Sequence, residues 1–217
     1  MSSESVNGRR RYDNRHREEQ ARQTRQRILQ AAREVLLGRG YTAMTIAAVA
    51  DAAGVSAETI YKRFGSKAAL VKEVYDVTLA GDDLPIPVPE RSSWHDLLED
   101  PSPQGKVARY AAHVRQISER TAPLLDVLLA GSRAGDPDLK AFSAKTNAER
   151  LAGTAMFVTH LAETGSLRPG LDTGRARDEV WVLNSPEVYR LFVTDRGWRN
   201  DDYQDWIAET ISRAVLG

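Results

Sequence analysis

From Thr45 to Phe64 the chain gathers small residues around a single glycine, a pattern that few folds accept. Ala47, Ala48, Ala50, Ala52 and Ala53 leave room for two helices to approach closely, and Gly54 supplies the backbone freedom for a tight turn. Thr45 can cap a short helix whose inward residues are Ile46, Val49 and Ala50. Ser56 can cap the next, which runs to about Phe64, with Val55 plugging the crossing and Ile60 as its anchor. Two short helices crossing steeply about such a turn form a helix-turn-helix. Ala57, Glu58, Thr59, Tyr61 and Lys62 are left free to project into a major groove. Lysine suits guanine acceptors and glutamate the amino donor of cytosine, so Glu58, Thr59 and Lys62 are candidate base readers. Each also reads as a merely exposed residue. The Tyr61 hydroxyl can reach a phosphate, or its ring can be half-buried packing.

The flanks fit this reading. Ile28, Ala31, Ala32, Val35 and Leu36 recur at helical spacing in a helix that begins near Glu19 to Thr24 and ends at Gly38 and Gly40. After the third helix, Gly65-Ser66 breaks the chain and caps a fourth, with Leu70, Val71, Val74, Tyr75 and Leu79 as its stripe. Residues 1–20 form a flexible basic arm and 21–80 the head. Arg9, Arg10, Arg11, Arg15, Arg17, Arg22, Arg25 and Arg27 either track DNA phosphates or serve as a solubilising tail.

Five of the nine prolines fall between Gly81 and Pro103, and Leu84 to Pro89 alternates apolar residue and proline, as in an extended linker. Trp94, Leu97 and Leu98 suggest one short docked helix within it. Residues 81–217 then read as a helical body. Gln104 to Arg120 is one helix, Thr121 caps a second, and Asp136-Pro137 opens a long third that ends at Gly165. Arg175 to Asn184 follows, interrupted at Ser185-Pro186 and resumed through Tyr189 and Phe192, and Asn200 caps the last helix. No segment alternates at period two for long, so the fold class is all-α: a three-helix helix-turn-helix head and a helical body.

Composition narrows the function classes. The chain has no cysteine, which excludes zinc fingers, thiol chemistry and disulfides. A polar N-terminus and the lack of any apolar run of 18 residues predict a cytoplasmic protein with no membrane partner. Residues 1–80 hold 14 basic and 9 acidic side chains, whereas 81–217 hold 16 and 21, as a DNA-reading head on another kind of body would. No nucleophile elbow, phosphate loop or His-Glu-x-x-His motif is present, so an enzyme is not expected.

The run from Tyr41 to Val71 resembles the DNA-binding domain of the TetR family of transcriptional regulators. The match lies at Gly40, Tyr41, Thr45, Ala50, Gly54, Val55, Ser56, Ile60, Tyr61, Phe64, Ser66, Lys67 and Leu70, within a stretch from about Thr24 to Leu79. Gly65 departs from it, standing where a proline is more frequent. The resemblance implies that the first turn of the fourth helix holds a phosphate, with the Lys67 ammonium assisting; the alternative is a solvated lysine. Ser185 to Leu191 and Arg196 to Trp198 resemble a C-terminal block of one TetR subgroup, which implies a homodimer. Tyr110, His113, Phe157, His160 and Trp181 could line an effector pocket, although each alone is more often core. His160 and Glu163 are spaced for a shared metal, but one pair is too few ligands, and neither a metal nor a cofactor is expected. The expected function is a repressor released from palindromic double-stranded operator DNA by a small-molecule effector.

Overall fold

The computed structural model describes residues 4–84, 86 and 90–217, with side chains from residue 16 onward. The chain divides into two compact units, Met1–Asp76 and Val77–Gly217. Among the described residues the secondary structure is helical, apart from one isolated bridge between Leu167 and Leu216.

The first unit holds α1 (Glu4–Ala43), α2 (Ile46–Ala53), α3 (Ala57–Phe64) and the start of α4 (Lys67–Ala80). Its core is built from Ile28, Ala32, Leu36, Tyr41, Met44, Val49, Ile60, Leu70 and Val71, all buried. Of the two glycines expected to end the first helix, Gly38 stays helical and Gly40 breaks it. Gly40, at φ 74° and ψ 167°, kinks the end of α1, and Gly54, at φ 65°, closes α2 by donating its N–H to Ala50 and Asp51. Both need positive φ, which glycine adopts without steric cost.

α1 starts far earlier than expected. Its backbone is helical from Glu4, not from Glu19 to Thr24. The expectation rested on an apolar stripe, and a helix that is polar all round has none. Arginine, glutamine and glutamate lose little entropy in a helix, and local pairs such as Arg22 on Glu19, at 2.8 Å, add to that. The side chains of Arg9, Arg10, Arg11 and Arg15 lie outside the described residues. Ala47 and Ala52 also differ from expectation: both are exposed, and only Ala50 and Ala53 are buried at close approach.

The second unit holds the end of α4, then α5 (Ser92–Leu98), α6 (Pro103–Arg133), α7 (Pro137–Glu163), α8 (Thr173–Leu183), α9 (Pro186–Tyr189) and α10 (Asn200–Val215). α5 is the short docked helix, with Trp94 and Leu97 buried. Pro85, Pro87, Val88 and Pro89 of the expected extended linker lie outside the described residues. α10 packs chiefly on α6, and α7 on α8 and α6, around Val107, Tyr110, Phe157, Leu161, Val180, Tyr203, Ile207 and Ile211.

Asp136 caps α7 as expected, its carboxylate accepting from Leu139 N at 3.1 Å. Two other expected caps are corrected. Thr121 starts no helix: its hydroxyl donates back to Ile117 O at 2.8 Å, and α6 runs on through Pro123. Pro123 is exposed while Leu124, Leu125 and Leu128 are buried, so packing of the stripe outweighs the hydrogen bond that proline forfeits. Asn200 is the first residue of α10, not its cap, and its amide oxygen accepts from the Tyr189 hydroxyl at 2.7 Å. Between α9 and α10, Arg190–Asp195 forms a π-helical segment. Arg190 Nη1 donates to both carboxylate oxygens of Asp195, at 2.9 and 2.7 Å, a spacing of five residues that a π turn places on one side.

Candidate nucleic-acid interface

α3 owes its orientation to two inward anchors and one cap. Ile60 is fully buried and Phe64 nearly so, four residues apart on one face. The Ser56 hydroxyl accepts from Thr59 N at 3.1 Å and lies 2.8 Å from the Thr59 hydroxyl, so the first turn is tied down locally. Glu58, Thr59, Tyr61 and Lys62 are left on the exposed side, Tyr61 with 53% of its surface open. Ala57 is half-buried. Arg63 is exposed beside Lys62, a second cation in the last turn of α3. Arg63 lies beyond the residues singled out from sequence; its place between the two anchors Ile60 and Phe64, rather than on either, is the signal for it.

Thr45 sits at the start of α2 with extended backbone, and its hydroxyl accepts from Ala48 N at 3.1 Å. It is exposed. Lys67, expected on a phosphate, is engaged within the head. Its ammonium donates to Tyr41 O at 2.9 Å and Met44 O at 3.2 Å, and lies 3.9 Å from the centroid of the Tyr41 ring.

Of the five candidate effector residues, Tyr110 and Phe157 are buried in the body and His113, His160 and Trp181 are half-buried. Tyr110 and Phe157 stack at 4.0 Å between ring centroids. The Tyr110 hydroxyl accepts from Asn184 Nδ2 at 2.6 Å, and the same amide lies 3.0 Å from Thr154 Oγ1. Burial raises the Tyr110 phenol above its ordinary range, so it stays a neutral hydroxyl. His113 meets the edge of Trp94 instead, and burial, with Arg120 and Arg91 nearby, pushes its imidazole down to about 4. His160 Nε2 lies 2.9 Å from Lys106 Nζ and 3.1 Å from Leu98 O. Trp181 lies under the Arg150 guanidinium, 4.2 Å from its ring centroid. Tyr110 and Phe157 are therefore brought together, and the other three engage other partners.

None of the five lines either of the two described clefts. One, of about 220 Å³, lies between α6 and α9 and is lined by Ser118, Leu125, Asp126, Arg133, Glu187 and Tyr189 among others. The second is a broad depression on α8 and α10 that includes Arg175, Glu179, Val182 and Ala214. Among the described residues no group of three or more His, Cys, Asp or Glu could hold a metal ion, and no helix is long and apolar enough to cross a membrane.

A capped, exposed recognition helix on a small-residue turn, joined to a separate all-helical unit, defines a helix-turn-helix DNA-binding regulator. Residues 28–74 match the family model of the bacterial regulatory proteins of the tetR family. An uncharacterized HTH-type transcriptional regulator, YdeS of Bacillus subtilis (strain 168), is 26% identical over 195 residues, covering 89% of each chain. In fold, the chain is similar to NalD of Pseudomonas aeruginosa, the secondary repressor of the MexAB-OprM multidrug efflux pump. The TM-score is 0.67 at 22% identity, over 91% of this chain and 98% of that one. It is also similar to the regulator FadR of Bacillus subtilis, solved in complex with stearoyl-CoA, with TM-score 0.66 at 20% identity over 86% and 96% of the two chains. Residues 28–74 are thus a DNA-binding head of the tetR-family type, and over most of its length the chain is similar to an HTH-type transcriptional regulator.

Proposed function

We propose that this regulator is a cytoplasmic repressor that binds a palindromic operator as a homodimer and leaves it when a small molecule binds the body. The observation that carries the reading is the outward face of α3, where Glu58, Thr59, Tyr61, Lys62 and Arg63 are exposed beside a helix start fixed by Ser56. Glu58, Thr59 and Lys62 read bases; Tyr61, Thr45 and Arg63 meet phosphate; Ala57 gives the backbone room to approach. Residues 21–80 are the reading head, 81–217 the effector and dimerisation body, and 1–20 a basic extension along DNA.

Repression and release by an effector find support in two relatives of like fold, one named a repressor and one solved with an acyl-CoA. Dimerisation finds support in Val182, Leu191 and Trp198, three large apolar side chains exposed within and beside the block from Ser185 to Trp198. An interface would cover these side chains, and a two-fold dimer buries the same surface twice. In the body, Tyr110, His113, Phe157, His160 and Trp181 receive the effector by yielding their present partners. Footprinting tests the whole reading: an inverted repeat with half-sites about 34–36 Å apart or somewhat more is expected. A single half-site occupied by a monomer would overturn it.

A further inference from the structure

Lys67 begins α4, yet its side chain runs back to the junction of α1 and α2. Its ammonium donates to the carbonyls of Tyr41 and Met44 and faces the Tyr41 ring. An ammonium has three protons, and two carbonyls and one ring face use all three directions. The junction is one where a cation is favoured. Gly40 has left the helical conformation there, and carbonyls at a helix end carry partial negative charge; Tyr41 O also accepts from Met44 N at 3.3 Å. Tyr41 and Met44 are buried at 4% and 1% exposure, so their carbonyls are held inside a packed corner. The next residue is Thr45, whose hydroxyl caps α2.

We propose that Lys67 is a positioning residue for DNA binding rather than a phosphate ligand. It locks residues 41–44 and so fixes where Thr45 and the first turn of α2 stand relative to α3. The inference rests on the reading that this head binds DNA. It requires that the ammonium be spent inside the protein, so that its loss weakens binding without removing a counterion-releasing contact.

The test uses the full chain, with DNA affinity measured across a range of KCl concentrations at a temperature where circular dichroism shows each variant folded. Lys67→Met should lose about tenfold or more in affinity, the scale expected for two charge-assisted hydrogen bonds, with the slope of log affinity against log salt unchanged. Lys67→Arg should recover part of the loss. A slope that falls by about 1 would make Lys67 a phosphate ligand and overturn the proposal. Unchanged affinity in the folded variant would overturn it too. Should Lys67→Met fail to fold, Tyr41→Leu removes the ring face and leaves the lysine; it should weaken binding at constant slope, and full affinity would count against the clamp. Amine acetylation followed by mass spectrometry reads the clamp without DNA. Lys67 should react much more slowly than the exposed Lys62, and equal rates would overturn the proposal. If the wild-type chain binds no DNA, the functional reading fails while the acetylation result still decides the clamp.

Discussion

Tyr110 on α6 and Phe157 on α7 lie face to face, ring centroids 4.0 Å apart and planes within 4° of parallel. Both are buried, and Phe157 has no exposed surface at all. Phe157→Ala removes a large ring from a packed centre and should cost about 3–5 kcal/mol of stability, the usual range for such a change. Phe157→Leu should cost less because it refills part of the volume. Urea unfolding of the three proteins gives the order; a midpoint unchanged in Phe157→Ala would show that the stack adds nothing to the body's stability.

Asn184 ties three helices with one amide. It donates to the Tyr110 hydroxyl on α6 and to Thr154 on α7, and it accepts from Arg150, while itself ending α8. Asn184→Ala should destabilise by about 1–3 kcal/mol for each buried polar group it strands. Combined with Tyr110→Phe, the double variant should lose less than the two single losses added together, because the groups share one network. Simple additivity in a double-mutant cycle would argue that the two side chains act independently.

His113 predicts a pH dependence with a definite sign. Its folded value, about 4, lies below its ordinary 6.5, mainly through burial and secondarily through Arg120 and Arg91. The folded state therefore prefers neutral imidazole, while an unfolded chain takes up a proton as pH falls through 6.5. Stability should be full at pH 7.5 and fall between about 6.5 and 4, by at most about 3 kcal/mol. Solvent that still reaches the half-buried ring will reduce that figure. His113→Phe should flatten the loss in this window. Asp82 contributes lower down: hydrogen bonds from Arg91 and from Leu84 N hold its carboxyl at about 2, so its contribution is lost only as pH falls from near 3.8 towards 2. A wild-type unfolding midpoint that does not move between pH 7 and 5 would refute the His113 assignment.

On α3, Lys62 is exposed next to the anchored face. Lys62→Ala should cost about 1–3 kcal/mol on the cognate operator and much less on scrambled DNA if the ammonium reads a base. Arg63→Ala should weaken both alike and lower the salt slope by about 1 if it meets a phosphate. Binding isotherms on the two DNAs distinguish these roles, and equal losses for Lys62→Ala on both would remove it from base reading.

Local chemistry was enough to read α2, α3 and the turn between them. Thr45 and Ser56 cap helices, as Asp136 does in the body, because a side-chain oxygen and the N–H three residues later are neighbours along the chain. Gly54 and Gly40 take the positive φ that a turn demands, and the alternation of Ile60 and Phe64 with exposed residues settles which side of α3 is free. Contacts far apart in sequence decided the rest. Lys67 finds carbonyls 26 and 23 residues earlier, and Tyr110 meets Asn184 at a separation of 74. No periodicity in one segment announces a partner in another. α1 extends to Glu4 without an apolar stripe to betray it, and α6 passes through Pro123 because its buried leucines are held by neighbouring helices. The sequence alone determined which residues begin and end α2 and α3. Tertiary packing determined which polar groups face inward, since only there does the loss of water make a specific partner necessary.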